Sequence, residues 1–324
     1  MKEKIKSYCN SIGIQEIGFV KCRRFDELIS FYNYRKENNL ENEFEESDIE
    51  KRINPKLYMN EGKTIISIAF PYLWNNDYVE NGFSTYTKGY DYHKVVKMHL
   101  DKICNMIIEA GGKAISLVDS NALPERYIAY LAGVGFIGKN NMIITKTHGS
   151  YVFLGEIITD LNLYDDDVRK FDEISKFKEC GECTICYKEC PTKAINEYKK
   201  NPNICTSYIT QKKELTDIEI KLLKDKIFGC DVCQNKCPYN ENISFSKIKE
   251  FKPLEFMENG KYEVYAEINN KAFKEKVLPT SCGWRGKNII KRNAIIRLHN
   301  RGINIEKYKG DSPYLNKYIE ILNK

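Results

Sequence analysis

Eight of the twelve cysteines in this chain lie between positions 180 and 237, at spacings that suit metal binding. The first four form the run C-x2-C-x2-C-x3-C at Cys180, Cys183, Cys186 and Cys190, and Pro191 follows directly. This spacing is typical of bacterial two-cluster ferredoxins, in which three thiolates hold one [4Fe–4S] cluster and the fourth ligates the other. A zinc site needs only four ligands, usually in two pairs, and a close triplet of cysteines is crowded for it. The run therefore predicts iron–sulfur chemistry.

A second cysteine run repeats the end of this pattern. It contains Cys230, Cys233 and Cys237, again followed by proline, but Ile227 occupies the position of the first cysteine. A more distant thiolate must replace it, and Cys205 is the remaining cysteine of the segment. Ligand exchange between the runs then completes two sets. One [4Fe–4S] cluster is predicted on Cys180, Cys183, Cys186 and Cys237, and the other on Cys190, Cys205, Cys230 and Cys233.

The four other cysteines and the ends of the chain point to a reducing compartment. Cys9, Cys22, Cys104 and Cys282 stand singly among apolar or helical neighbours, as buried structural thiols do. Clustered cysteines without a disulfide scaffold are typical of reducing compartments. No apolar run approaches the roughly 20 residues of a membrane span, and the N-terminus lacks the apolar region of a signal peptide. We expect a cytoplasmic protein.

A glycine pattern at positions 133–138 satisfies G-x-G-x-x-G but lies in the wrong context for a dinucleotide site. It follows a predicted helix rather than a strand, and Lys139 comes next instead of a clear helix start. The glycines still allow close approach of the backbone to something large and flat. The chain also lacks the D-x-H-x-x-G motif whose histidine ligates cobalt, so a corrinoid would bind without a histidine from that motif.

The elements that must position these residues can be read from composition and periodicity. Apolar residues make up 42% of the 324 residues and charged residues 30%, which excludes a disordered or collagen-like chain. Strands are predicted at 64–70, 114–118 and 151–158, and helices at 91–110 and 124–132, so an α/β layer structure is expected over about the first 165 residues. The acidic run at 165–167 is expected at its boundary. The predicted domains are 1–165 (α/β), 166–242 (double-cluster module) and 243–324 (helical and basic).

Positive charge is concentrated near the C-terminus. Residues 271–310 contain eleven Lys or Arg against two Glu, in a chain with a formal net charge of +6. Such an excess in one segment indicates a polyanion-binding surface. The predicted phosphate contacts are Arg285, Lys287, Lys291, Arg292, Arg297 and Arg301, several of which share a helix face. A generic basic helix is the alternative, and Trp284 is either a stacking surface or core.

Several motifs, taken together with the cysteine runs, resemble the epoxyqueuosine reductase family from about residue 52 to 300. They are KGYDYHK (88–94), VDS (118–120), ER (125–126), AGVGFIGKN (132–140), GS (149–150), LGEI (154–157) and GCDVCQ (229–234). The resemblance implies an α/β (α+β) cobalamin-binding domain, a two-cluster ferredoxin-like module and a short helical HEAT-like C-terminal region. It also implies a reaction, the removal of the epoxide oxygen of epoxyqueuosine at the wobble position of tRNA, the last step of queuosine synthesis.

The resemblance implies that Asp119 is the acid of this reaction. Opening an epoxide to an alkene needs two electrons and a proton on the departing oxygen; cob(I)alamin is a strong reductant, and a nearby carboxylic acid supplies the proton. Asp119 follows the strand 114–118, at an end where α/β sites form. The alternative is that Asp119, with Ser120 and Asn121, caps the helix that begins near Pro124.

The same resemblance implies corrinoid contacts and partners. The implied cobalamin (B12) contacts, besides Asp119, are Arg52, His93, Lys139, Asn140 and Ser150. Each residue also has a non-functional alternative. Arg52 could be a solvated surface charge, His93 a histidine with its hydrogen bonds made inside the protein or at its surface, and the others residues of solvated loops. The basic C-terminal face would bind the anticodon region of tRNA. An unidentified donor must supply electrons, and a monomer is expected.

The chain also departs from the family pattern. Less helical repeat follows Arg292-Asn293 than in many members, and the segment 281–285 is irregular, so we expect part of the tRNA surface to be missing or rebuilt. Two other functions stay open: reduction of a small molecule, as in a reductive dehalogenase, or a non-enzymatic electron carrier or tRNA-binding module. Corrinoid binding separates the two enzymes from the third function, and tRNA dependence separates the two enzymes from each other.

Overall fold

The computed structural model describes residues 1–75, 79–165, 169–198 and 200–324. Its strands are β1 (Ile17–Lys21), β2 (Thr64–Pro71), β3 (Ala114–Leu117), β4 (Phe136–Ile137), β5 (Ile143–Ile144) and β6 (Val152–Thr159). Its first helices are α1 (Lys2–Ser11), α2 (Ile29–Glu37), α3 (Ile49–Ile53), α4 (Tyr92–Glu109) and α5 (Glu125–Leu131). The later helices are α6 (Ile185–Glu189), α7 (Thr206–Ile209), α8 (Asp217–Leu223), α9 (Val232–Asn235), α10 (Glu255–Asn259), α11 (Tyr262–Glu267), α12 (Asn270–Ala272), α13 (Lys287–Asn300) and α14 (Pro313–Leu322).

The main sheet has four strands in the order β1-β2-β6-β3, and every neighbouring pair is antiparallel. The predicted strands and helices of this region are confirmed to within one residue. The sequence did not predict α2, α3 or the short β4–β5 hairpin, which lie in polar or glycine-rich stretches. In an antiparallel sheet the carboxyl ends of neighbouring strands lie at opposite edges. Asp119 therefore follows β3 at an edge that it does not share with the carboxyl end of β6.

Helices cover both faces of this sheet. Helix α5 packs on the face that contains Leu154 and Ile158 of β6, and α4 packs on the opposite face, where Ile157 lies. Gly155 lets α4 approach closely, because a Cβ there would lie 2.7 Å from a methyl carbon of Val96. The two helices thus bring their N-terminal ends to the β3–α5 loop from either side of the sheet.

The C-terminal residues form a separate helical core. Helix α13 is buried along most of its length and packs against α8, α11 and α14. No helix among the described residues is long and apolar enough to cross a membrane. Of the acidic run that we expected at the first domain boundary, Asp166 and Asp167 lie outside the described residues.

Candidate active site and cluster module

The loop after β3 carries Asp119, and helix α5 holds its backbone. Asp119 has a φ of 46°, in the left-handed region that residues other than glycine rarely adopt. Its N–H donates to Oε1 of Glu125 at 2.7 Å, and Nδ2 of Asn121 donates to the same oxygen at 2.9 Å. Helix α5 has Pro124 at its N-cap and no side-chain cap bond. The alternative that Asp119 caps this helix is therefore wrong.

The Asp119 carboxylate is bonded by two residues at the start of α4. Oδ2 of Asp119 accepts a hydrogen bond from the Tyr92 hydroxyl at 2.8 Å and lies 3.0 Å from Nε2 of His93. Nδ1 of His93 lies 2.7 Å from Oδ1 of Asp91, the N-cap residue of α4. The Tyr92 ring stacks on Phe153 of β6, with centroids 4.2 Å apart. The D-Y-H sequence thus places a phenol and an imidazole on one oxygen of Asp119.

The charges of this group put its mobile proton on His93. Burial lowers the pKa of His93, but hydrogen bonds to Asp119 and Asp91 outweigh burial and raise the pKa to about 9. Burial raises the pKa of Asp119, but hydrogen bonds from His93 and Tyr92 outweigh it, so the net shift is downward. Burial and the Asp119 charge raise the pKa of Tyr92. At neutral pH the group therefore holds an imidazolium, a carboxylate and a neutral phenol.

Two carboxyls in contact, one buried and one half-buried, lie behind the Asp119 loop. Glu156 of β6 is fully buried, and no described donor reaches either of its carboxyl oxygens in good geometry. The polar groups that it faces are the carboxyl of Glu125 and the hydroxyl of Ser67, its pairing partner on β2. Burial and the neighbouring Glu125 carboxyl raise the pKa of Glu156, and burial and the charge of Asp119 raise the pKa of Glu125 to about 7. Sequence reasoning missed this pair, although a carboxylate inside the apolar strand LGEII was a signal for it.

Three predicted corrinoid contacts attach the α/β domain to the cysteine module instead. The N–H of Lys139 lies 3.4 Å from Sγ of Cys180, and its Nζ donates to two carbonyls of the same cysteine loop at 2.6 and 3.0 Å. Nδ2 of Asn140 donates to a carbonyl of the second cysteine run, and the N–H of Ser150 donates to Asn240 at 2.7 Å. Asn140 and Ser150 are buried, and the corrinoid contacts of all three residues stay predictions. The glycine-rich loop therefore approaches the cysteine module, which was not predicted.

Arg52 is neither solvated nor directed at the Asp119 group. Its guanidinium lies 3.2 Å from Glu45 and 3.5 Å from Glu41, and it covers the Tyr32 ring at 4.0 Å from the centroid. The side chain is 14% exposed. The solvated-charge alternative is wrong, and the corrinoid contact stays a prediction.

The eight module cysteines fall into two groups in space. Burial and the neighbouring Cys180, Cys183 and Cys237 together raise the pKa of the Cys186 thiol to about 11. Burial likewise raises the pKa of the Cys233 thiol, and the neighbours that raise it further are Cys230, Cys205 and Cys190. Helix α6 carries Cys186 of the first group, helix α9 carries Cys233 of the second, and the two helices pack together. The groups are the two ligand sets expected from ligand exchange between the runs.

The chemistry of these two groups fits iron–sulfur cubes. Backbone N–H groups point at the sulfurs of Cys205, Cys230 and Cys237, which stabilises thiolates. Among the described residues, no group of three or more His, Cys, Asp or Glu side chains is gathered tightly enough for a single metal ion. In a cube each thiolate binds a different iron, so the sulfurs stand further apart than the ligands of one zinc ion do.

Two arginines predicted to bind phosphate are instead core residues. Arg292 and Arg297 on α13 are fully buried. Nη1 of Arg292 donates to the carbonyls of Lys212 and Lys213 at 2.8 Å, and Arg297 lies 3.7 Å from the centroid of the Tyr262 ring. Both predictions are wrong, because α13 is packed on nearly all sides and uses these guanidiniums to satisfy loop carbonyls.

The other predicted phosphate contacts keep some exposure. Arg301 is exposed and Lys287 and Lys291 are partly exposed. Arg285 donates to the carbonyl of Gln211 at 2.6 Å and lies 4.7 Å from the centroid of Trp284, whose side chain is 57% exposed. Trp284 is therefore not core.

Comparisons with known proteins agree with this arrangement. Residues 52–120 match the family described as Epoxyqueuosine reductase QueG, DUF1730, and residues 179–240 match the 4Fe-4S double cluster binding domain. The epoxyqueuosine reductase of Lactococcus garvieae is 34% identical over 311 residues, which cover 93% of this chain and 87% of the relative. This chain belongs to the epoxyqueuosine reductase family. It is accordingly an oxidoreductase with an iron–sulfur module. The Bacillus subtilis family member is also 34% identical, over 92% of this chain and 78% of its own length.

Solved family structures share the fold. A crystal structure of an epoxyqueuosine reductase with an epoxyqueuosine-modified tRNA-Tyr stem loop is 32% identical, covers 99% of this chain and 88% of its own, and superposes with a TM-score of 0.87. A Bacillus subtilis structure whose catalytic aspartate loop is swung out of the active site is 31% identical, covers 99% and 89%, and also has a TM-score of 0.87. The mixed α/β architecture is therefore that of the family.

Proposed function

We propose that this protein reduces epoxyqueuosine to queuosine at the wobble position of tRNA, in the cytoplasm. One observation carries the proposal: the carboxylate of Asp119, bonded to His93 and Tyr92, lies in the same chain as two groups of four cysteines that suit an electron relay. The solved relative with an epoxyqueuosine-modified stem loop supports the substrate. We keep the three-part layout, 1–165, 166–242 and 243–324 with a HEAT-like end, as part of this proposal.

Cobalamin is the cofactor that we place beside Asp119. The Asp119 side chain is 55% exposed, so a large group can reach it. Both ring nitrogens of His93 are taken by carboxylates, and His99 and His148 are buried, so none of these three can ligate cobalt, in keeping with the missing D-x-H-x-x-G motif. We expect His93 and Asp119 to face the corrinoid and Arg52 to contact it. When bound, cobalamin supplies the two-electron reducing power.

The chain's own residues supply the first of the two protons, and solvent supplies the second. Converting an epoxide to an alkene consumes two electrons and two protons and releases the oxygen as water. The first proton is needed on the oxygen as the first C–O bond breaks. Asp119 delivers it, drawing on the proton stored on Nε2 of His93, 3.0 Å away. The electrons enter singly from an unidentified donor through the two clusters of a monomer.

This proton store predicts an alkaline limit to turnover. His93 must be protonated, so on the alkaline side kcat should fall as the pH rises through about 9. Single-turnover rates measured over this pH range, with reductant in excess, will show this fall in rate, the alkaline limb of the pH profile. His93→Gln should lower kcat and lose the limb. A limb that persists unchanged in His93→Gln would assign it to another group.

The remaining basic face predicts a salt-dependent contact with tRNA. Arg301→Ala should weaken tRNA binding several-fold and lower the slope of log K against log salt by about 1, because one phosphate contact is lost. Filter binding at several salt concentrations measures both. An unchanged slope would remove Arg301 from the interface.

Arg292→Ala is the matched comparison on the same helix. It should leave the salt slope unchanged but destabilise the fold, because the fully buried Arg292 guanidinium and its charge-assisted hydrogen bonds to the Lys212 and Lys213 carbonyls are lost, at about 1.5–3 kcal/mol each. Urea unfolding of the two variants will separate the roles of the two arginines.

The decisive test of the proposed function is an anaerobic assay. The clusters are first reconstituted, and cobalamin, a strong reductant and epoxyqueuosine-containing tRNA are then added. The tRNA is digested to nucleosides, and their masses are measured by mass spectrometry. We expect the loss of one oxygen, dependent on cobalamin. No mass change, with clusters and corrinoid both bound, would shift the assignment to reduction of a small molecule.

A further inference from the structure

The loop that carries Asp119 needs an anchor. The left-handed φ of Asp119 is unfavourable for a residue with a Cβ, so the conformation persists only if neighbouring bonds hold it. Oε1 of Glu125 accepts both the N–H of Asp119 and the amide of Asn121. These bonds are strongest when Glu125 is a carboxylate, because charge-assisted hydrogen bonds are roughly twice as strong as neutral ones.

The charge of this anchor depends on Glu156. Glu156 lies on the middle strand β6 between Ser67 of β2 and Leu117 of β3, fully buried and without a described donor. Its carboxyl faces the carboxyl of Glu125. The two carboxyls are in contact and Glu156 is fully buried, so they do not both ionise and they hold a proton between them. When this proton is on Glu156, Glu125 is free to be the charged acceptor.

We propose that Glu125 and Glu156 form a proton-sharing latch that fixes the Asp119 loop in its working position. Glu125 is the positioning residue, since it touches the loop backbone and not the substrate, and Glu156 controls the charge of Glu125. A second proton on the pair neutralises Glu125, weakens both of its bonds and frees the loop. The inference rests on the proposed role of Asp119 as proton donor.

The surroundings of the pair are consistent with such a latch. The charged and titratable groups that interact electrostatically with Glu125 and Glu156 are Asp119, Arg126 and Tyr92. His93 is connected to the pair only through its hydrogen bond to Asp119. The N–H of Asp119 is bonded directly to this pair, through Glu125.

Hydrogen exchange of the loop amides tests the latch without any substrate. The cluster-loaded protein is exchanged anaerobically across a pH series, and the peptide covering 118–123 is followed after correction for intrinsic exchange. In the wild type, corrected exchange should rise as the pH falls through about 7, where Glu125 gains its proton. In Glu125→Gln the loop should exchange about tenfold faster than the wild type above pH 7 and should lose the pH dependence, because its acceptor is neutral throughout.

Glu156→Gln is the second variant, and its fold is secure because glutamine is nearly isosteric with a protonated glutamate. Its amide can donate to Glu125 and keep that residue charged, so the rise in loop exchange should move to lower pH. Glu27→Gln is the matched control, since Glu27 also bonds α5, through the Tyr127 hydroxyl at 2.6 Å, but lies away from the loop. It should behave as the wild type.

Each outcome decides a separate point. Wild-type exchange at the loop in Glu125→Gln, or a pH dependence in Glu156→Gln that matches the wild type, would overturn the latch. If the latch holds, Glu125→Gln should lower kcat with little change in KM for tRNA. If wild-type protein fails to reduce epoxyqueuosine while the exchange results hold, the proposed function fails and the latch stands.

Discussion

Replacing Asp119 with asparagine should lower kcat by about 10²–10⁴-fold while cluster content, corrinoid binding and KM for tRNA stay close to wild type. Asparagine has nearly the same shape and keeps an oxygen that can accept from Tyr92 at the observed position. It cannot take a proton from His93 and pass it on. The rate of oxygen loss in single turnover, measured with reductant in excess, isolates this step.

The Asp119→Asn substitution should also change the pH dependence of kcat. In Asp119→Asn one of the two carboxylates that hold His93 protonated is removed, so the pKa of His93 should fall and its contribution to the alkaline limb should disappear. Asp101→Asn is the matched control, because Asp101 bonds Ser116 of β3 but not the site. Full turnover in Asp119→Asn would show that the proton reaches the oxygen by another route.

The sequence predicted the parts of this site whose chemistry is local. The cysteine runs predict iron–sulfur clusters because their close spacing and the following prolines are typical of two-cluster modules, and residues 179–240 match such a domain. The periodic spacing of apolar residues predicted the strands and helices around Asp119. In the structure these apolar residues are buried between the sheet and the helices on its two faces. In both cases the decisive contacts lie within a few residues of each other or repeat at a fixed period.

The parts that failed depend on which element lies next to which. Helical spacing placed Arg292 and Arg297 on a face of α13, but periodicity does not say whether that face meets solvent or carbonyls of another loop. Lys139, on the glycine-rich loop, bonds the cysteine module, a contact that the sequence did not predict. The Glu125–Glu156 pair joins a helix to a strand that are distant in sequence. Only the packed structure brings such residues together.

The assignment of Cys205 to the second cluster predicts the other large effect. Cys205→Ala should reduce the iron and acid-labile sulfide content to about half, because one cube loses a ligand and the other keeps all four. Electron transfer from an external reductant to the active site should then stop, since the relay is broken. Iron analysis and electron paramagnetic resonance of the reduced protein measure both the loss and the identity of the surviving cluster.

The identity of the survivor distinguishes this pairing from a simpler one. If each run held its own cluster, Cys190→Ala and Cys180→Ala would lose the same cube. With ligand exchange, Cys190→Ala should instead match Cys205→Ala, because the Cys190 thiol lies with Cys205 and Cys233, and Cys237→Ala should match Cys180→Ala. Cys282→Ala is the control, since that thiol is buried against Thr280 and should leave the iron content unchanged. Matching spectra within each pair, and different spectra between the pairs, would establish that each cysteine run donates one ligand to the cluster of the other.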